Sequence, residues 1–194
     1  GVKAVTISGG SPKGLLPYLK ERDIKVLNVV SSVPNAVKAA AAGVDAVIAE
    51  GSESGGMQGF NGASTMVLVP LVVDAVNVPV VAAGGSGDSR GYKAAFNLGA
   101  AGVQVGTAFI AAEECIAHGN YKNALVSANE TDTRLMNVQW AQIRVLATPT
   151  AEDLMAKGGF SRAEFAAQGE CMEEAWIKGD LSASILGAGQ ITGM

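Results

Sequence analysis

Two short glycine signatures, Ala82-Ala83-Gly84-Gly85 and Gln104-Val105-Gly106-Thr107, each follow an apolar, β-branched run and lie about one strand–helix unit apart. At both places the chain leaves a buried strand through residues with little or no side chain, so backbone N–H groups can face an anion at close range. The chemistry is that of a phosphate clamp. In a parallel α/β barrel, paired turns of this kind after the last two strands hold a ligand's phosphate. A Gly-Gly standing alone serves equally well as a tight βα turn, so the pair and its flanks carry the reading.

Such turns need strands to carry them. Residues 2–8, 24–30, 44–49, 78–83 and 103–106 are short, β-branched and bounded by Gly, Pro or Asp, and they read as buried parallel strands. Helical patterns separate them. Ser11-Pro12 opens the first, which Pro17 should shorten or kink. Residues 35–42 form an alanine-rich helix. Ser64 caps a run over 65–76 interrupted by Pro70, and a helix over 89–98 ends at Gly99, in place for a left-handed C-cap. After the fifth strand the alternation stops, and 113–130, 151–167 and 169–178 read as helices. The pattern is parallel α/β: either an open five-stranded sheet, or the C-terminal portion of a barrel.

With 194 residues, 48% hydrophobic and only 16% charged, the chain is long enough for one sizeable core. A net charge of −4, with Lys and Arg scattered singly, excludes a nucleic-acid surface. Cys115 and Cys171 form no metal-binding spacing and have His118 as the sole imidazole, so no metal site is expected. Free thiols fit a reducing cytoplasm. No apolar run reaches the ~20 residues of a membrane span, and no membrane partner is expected.

The segment Gly43-Val44-Asp45-Ala46-Val47-Ile48-Ala49-Glu50-Gly51-Ser52-Glu53-Ser54-Gly55-Gly56 does not stand alone. Pro79-Val80-Val81-Ala82-Ala83-Gly84-Gly85, Leu98-Gly99-Ala100 and Val103-Gln104-Val105-Gly106-Thr107 follow in order. This ordered series resembles the nitronate monooxygenase (2-nitropropane dioxygenase) family, which includes the FMN-dependent type II enoyl-ACP reductases. Ala117-His118-Gly119-Asn120-Tyr121-Lys122, Thr131-Asp132-Thr133 and Gly189-Gln190-Ile191-Thr192-Gly193 are more similar to the enoyl-ACP reductase branch, that of fatty acid biosynthesis. The resemblance implies a TIM-type (β/α)8 barrel, of which this chain supplies the last five βα units plus a helical C-terminal appendage. Gly1-Val2-Lys3-Ala4-Val5-Thr6 then matches the fourth strand, and three βα units are expected to precede it. Residues 1–112 are expected to form the partial FMN-binding barrel, strands four to eight. Residues 113–194 are expected to form a helical region that completes the barrel and covers the site.

By the same resemblance the cofactor is FMN, with NAD(P)H as co-substrate. Gly84, Gly85, Val105, Gly106 and Thr107 would hold the phosphate through backbone N–H groups and one hydroxyl, and Gln104 would reach the flavin or its ribityl chain. Glu50 and Gly55 belong to the loop leaving the third strand, where Gly55 lets the chain pass close to the flavin ring; Glu53 reads as a solvated loop acid. Met57 is the departure. The family typically has histidine there, thought to move a proton or orient the substrate, whereas a thioether has no titratable proton and offers only apolar packing. His118 reads as a surface or helix-cap residue, and Tyr121 and Lys122 as weaker catalytic candidates.

The activity implied is enoyl-ACP reductase: hydride passes from NAD(P)H through FMN to an enoyl thioester, with acyl carrier protein as a candidate partner and a homodimer as a candidate assembly. Nitronate monooxygenase, oxidising alkyl nitronates with oxygen, is the alternative within the family, and a catalytically impaired flavin-binding protein is another, because of Met57. A non-flavin barrel resembling IMP dehydrogenase would need a nucleophilic cysteine in a loop after an earlier strand, where this chain has none.

Overall fold

The computed structural model describes every residue of the chain except Asn61 and Ala167. Among the described residues the strands are β1 (Ala4–Ile7), β2 (Lys25–Val30), β3 (Ala46–Glu50), β4 (Gly56–Gln58), β5 (Val80–Ala83), β6 (Gly102–Gln104), β7 (Thr133–Val138) and β8 (Ala141–Leu146). The helices are α1 (Leu16–Lys20), α2 (Val33–Ala42), α3 (Thr65–Ala75), α4 (Ser89–Asn97), α5 (Thr107–Ala111), α6 (Gly119–Ser127), α7 (Pro149–Ala156), α8 (Arg162–Ala166) and α9 (Gln168–Trp176). They form two compact units, Gly1–Ser52 with Gly59–Gln104, and Glu53–Gln58 with Val105–Met194.

All five expected strands are present in the first unit as one sheet of order β1-β2-β3-β5-β6, with every neighbouring pair parallel. A doubly wound open sheet reverses its strand order at a switch point. Here each strand lies beside the one that precedes it in the same sheet, the progression that builds a barrel wall. Its core is the helix-facing side of the strands, Val26, Val47 and Ala82, against Leu68, Val69 and Val72 of α3, all at most 2% exposed. Each such Leu or Val contributes about 1.5–3 kcal/mol by leaving water.

The helices follow the local signals with small shifts. The segment opened by Ser11 breaks into a 3-10 turn, Pro12–Gly14, and then α1, which carries Pro17 in its first turn, where a missing N–H is tolerated. α2 begins two residues early because Pro34 occupies the corresponding position there. α3 runs through Pro70 without a break. Asp88, rather than Ser89, caps α4 by accepting the Arg90 N–H at 2.8 Å, and Gly99 follows the helix at φ +91°.

Asp45 ties this unit's frame together. Its carboxylate accepts the Val26 N–H at 2.8 Å and the Lys20 ammonium at 2.7 Å, with Lys25 at 3.6 Å. Burial alone raises the Asp45 carboxyl, but those two hydrogen bonds and both lysine charges outweigh it and hold the group below its ordinary 3.8. Its contribution to stability is therefore present above about pH 4 and is lost as pH falls through the lower folded-state value. D45N is expected to destabilise by roughly 1–2 kcal/mol at neutral pH, with a smaller difference from wild type in acid. Urea unfolding at two pH values checks it; a pH-independent difference would contradict the assignment.

The second unit departs from expectation. Residues 113–194 are not a purely helical appendage: β7 and β8 form an antiparallel hairpin, and β4 joins it to give a sheet of order β4-β8-β7. The expected helix over 113–130 contracts to α6, and that over 151–167 divides into α7 and α8, its last residue, Ala167, lying outside the described residues. The boundary expected at 112/113 falls instead at Gln104, and residues 53–58 belong with the C-terminal part. The hairpin packs Met136, Ile143, Val145, Phe160 and Ile185 into one core, while Tyr121, Leu125 and Leu186 belong to a second.

Candidate functional site

In the first unit the parallel register aligns the carboxyl ends of three strands. Glu50, the last residue of β3, lies opposite Ala83, the last of β5, and Ala83 lies opposite Gln104, the last of β6. Four of the residues singled out from sequence, Glu50, Gly84, Gly85 and Gln104, therefore meet at one edge of one sheet, the end at which barrel enzymes build their sites. Gly84 has φ +90° and Gly85 φ +74°. Two consecutive left-handed residues are a conformation that glycine alone adopts without strain, and such backbone can present N–H groups in succession to an anion. The Gly51 N–H, just beyond β3, reaches the Ala83 carbonyl at 2.9 Å and secures the foot of this turn.

In the second unit Gly55 and Thr107 are brought together by the C-terminal segment. The Gly189 N–H donates to Thr107 Oγ1 at 2.9 Å, and the Gln190 N–H donates to the Glu53 carbonyl at 2.9 Å. Thr107 opens α5 with Gly106 as its N-cap. Its hydroxyl uses one lone pair on the Gly189 N–H and still has its own proton to donate. Nothing lies within 4 Å of a Cβ added at Gly106, whose φ of −113° is open to any residue; what its missing side chain leaves is space. Val105, half-buried, joins Gln104 to this cap.

Gly55 is demanded by packing: a Cβ there would lie 2.5 Å from both the Ala188 carbonyl carbon and the Gly189 nitrogen. Backbone cannot yield as a flexible side chain would. G55A is expected to destabilise the protein by roughly 1–3 kcal/mol through overpacking. Thermal unfolding of the folded variant checks this, and an unchanged midpoint would show that the 186–190 segment does not press on this loop.

Met57 sits at the centre of β4, opposite Ile143 of β8, with 42% of its surface exposed. Beside it Gly56 lies opposite Arg144, which is only 8% exposed and donates to Thr133 Oγ1 at 3.1 Å. Burial pushes the Arg144 guanidinium down from its ordinary value while the Glu53 carboxylate pulls it back up. Glu53 is accordingly half-buried and coupled to a buried cation, which corrects its reading as a solvated loop acid. The Gln58 side chain folds back onto the Ser54 carbonyl. Arg144 escaped sequence reasoning because the strand that carries it did.

The remaining candidates are structural. His118 caps α6, its Nδ1 accepting the Asn120 N–H at 3.1 Å, and Gly179 packs so closely on the ring that no Cβ fits between them. Tyr121 is 1% exposed and donates to the Gly187 carbonyl at 2.5 Å; burial pushes its phenol up, away from any role as an acid at neutral pH. Lys122 donates to the Glu113 carbonyl at 3.0 Å. Cys115 and Cys171 are free, half-buried thiols, and the described residues hold no group of three or more His, Cys, Asp or Glu placed to bind a metal. No helix among the described residues is long and apolar enough to cross a membrane.

Comparison with known proteins bears on this arrangement directly. A protein of Staphylococcus saprophyticus described as a probable nitronate monooxygenase is 46% identical over 148 residues, 71% of this chain and 42% of the relative. FabK of Thermotoga maritima superposes with a TM-score of 0.89 at 40% identity, over 98% of this chain and 61% of that one. Nitroalkane oxidase of Streptomyces ansochromogenes superposes with a TM-score of 0.88 at 29% identity, over 99% of this chain and 59% of that one. The chain thus spans less than two thirds of the length of each. These likenesses bear out the partial TIM-type barrel. The nitronate monooxygenase family model matches residues 1–193, taking the place of the IMP dehydrogenase-like alternative. The chain belongs to the nitronate monooxygenase family.

Proposed function

We propose that the protein carrying this chain is an FMN-dependent oxidoreductase whose phosphate-holding turns lie in this chain, closest in activity to the enoyl-ACP reductase branch. The observation that carries the reading is the alignment of Glu50, Ala83 and Gln104 at one sheet edge, with Gly84 and Gly85 both left-handed immediately beyond it. The residues present fit a flavin phosphate. In the first unit Gly84 and Gly85 offer backbone donors with no side chain to obstruct an anion; in the second, taken by itself, Thr107 keeps a hydroxyl proton to donate beside the open Gly106.

When bound, the flavin supplies the hydride-transfer chemistry, drawing on NAD(P)H. This chain's residues hold and orient it. Gln104 offers an amide to the ribityl chain or ring. Glu50 borders the same edge, where a bare carboxylate would oppose negative charge on a reduced ring, so its role requires a hydrogen-bonded carboxyl. Met57 offers an acyl thioester apolar packing only and moves no proton.

Met57 motivates a second reading, a catalytically impaired flavin-binding protein, and the remaining reading within the family is oxidation of alkyl nitronates with oxygen. The names of the curated relatives favour that substrate class. An absorption spectrum after desalting tests the flavin. Comparing NADH oxidation driven by a short enoyl thioester with oxygen uptake driven by an alkyl nitronate then separates the activities. A colourless protein, or one inert in both assays, defeats the proposal.

A further inference from the structure

Thr65, the first residue of α3, lies outside every glycine turn and was not singled out by its sequence context, yet it is 8% exposed and its hydroxyl faces the phosphate turn from behind. Thr65 Oγ1 donates toward the Gly84 carbonyl at 3.1 Å and toward the Ala83 carbonyl at 3.3 Å, one proton shared between two consecutive acceptors. In a trans peptide the C=O and the following N–H lie in one plane and point in opposite directions. No cis peptide occurs among the described residues, so a Gly84 carbonyl held on Thr65 obliges the Gly85 N–H to point away from Thr65. The Ala83 carbonyl is held from a second side by the Gly51 N–H at 2.9 Å, which leaves the Gly84–Gly85 plane as the part of the turn that depends most on Thr65.

We infer that Thr65 is the positioning residue of the phosphate turn: its hydroxyl sets the Gly84–Gly85 peptide so that the Gly85 N–H is aimed at the ligand's phosphate before the ligand arrives. The physical need for it is clear. Glycines at φ +90° and +74° have no side chains to hold them, and an unanchored pair would sample many conformations and give up binding energy to ordering. A buried threonine at the start of a well-packed helix supplies the anchor from a rigid element. This inference rests on the FMN reading and deepens it, because it assigns phosphate selectivity to a residue that does not touch phosphate.

The test is the ratio of affinities for FMN and riboflavin, which differ only in the phosphate, measured by flavin fluorescence quenching on the full-length protein stripped of flavin. Wild type is expected to prefer FMN. T65V keeps the shape and removes the hydroxyl; it is expected to lose about tenfold in FMN affinity, the worth of one hydrogen bond to a charged group, and to leave riboflavin affinity unchanged. T65S keeps the hydroxyl and should restore the preference. T65A supplies the hydroxyl deletion with less steric demand should the valine variant not fold. Equal losses for both flavins would reduce Thr65 to a packing residue, and an undiminished FMN preference in T65V and T65A overturns the inference while leaving the FMN reading intact. A wild-type protein that binds the two flavins alike, or neither, overturns both.

Discussion

Replacing Gly85 by valine is expected to lower FMN affinity by on the order of a hundredfold or more, given about 1.5–3 kcal/mol for each of two charge-assisted hydrogen bonds lost. Gly85 has φ +74°, and an L residue in the left-handed region is strained by roughly 1–2 kcal/mol, more when it is β-branched. The chain relieves that strain most cheaply by rotating the Gly84–Gly85 part of the turn, since Gly85 is exposed. Rotation withdraws the Gly85 N–H and the amide that follows it. The core is untouched, because Val80 and Ala82 lie upstream in β5 and stay buried. The variant should therefore remain folded, with a modest shift in unfolding midpoint, while its FMN titration collapses. G85A, less demanding, should fall between. Retention of wild-type FMN affinity by the valine variant would show that this turn does not hold the phosphate.

Replacing Met57 by histidine is expected to raise turnover by about 100-fold, the lower range for a positioned general acid or base. Met57 is 42% exposed on a short strand, so the exchange should leave stability within about 0.5 kcal/mol of wild type. An imidazole there titrates near neutrality, and the buried Arg144 opposite Gly56 biases it toward the neutral form. The direction of the new pH dependence identifies the reaction. Donating a proton to a reduced enoyl thioester requires the protonated ring, so the gain should be present below its pKa and vanish above. Taking a proton from a nitroalkane requires the neutral ring, so the gain should appear as pH rises. Rates with both substrates between about pH 5 and 8.5 span the unperturbed imidazole value and decide the matter. No gain at any pH, with flavin still bound, would identify a protein that holds flavin without the family's proton chemistry.

Much of the first unit was legible from the chain because its information is local. A parallel strand buried on both faces is a continuous β-branched run, and 44–49 and 78–83 announce themselves that way; the Gly-Gly after the second of these can hardly serve anything but a turn. The second unit hid its strands for equally local reasons. β7 and β8 are joined by Gln139-Trp140, a two-residue link without the Asn-Gly or Asp-Gly that marks most tight hairpins. β8 carries Arg144 at a buried position, which breaks the apolar alternation a reader looks for. β4 is three residues long and begins with glycine, so it has no pattern of its own; pairing with β8 makes it a strand.

The sequence by itself determined the strand order along the chain, the places where backbone is bare enough to meet an anion, and the absence of a titratable group at position 57. These follow from residue type and from neighbours a few positions away. Only the tertiary structure decided that Glu50, Gly84 and Gln104 end on one edge, that Gly55 is required by Ala188 and Gly189, that Glu53 answers to a buried Arg144, and that Thr65 stands behind the phosphate turn. Each of those joins residues distant in the chain. A hydrogen bond or a van der Waals limit acts over a few ångströms of space, and no local pattern records which distant residue will be there.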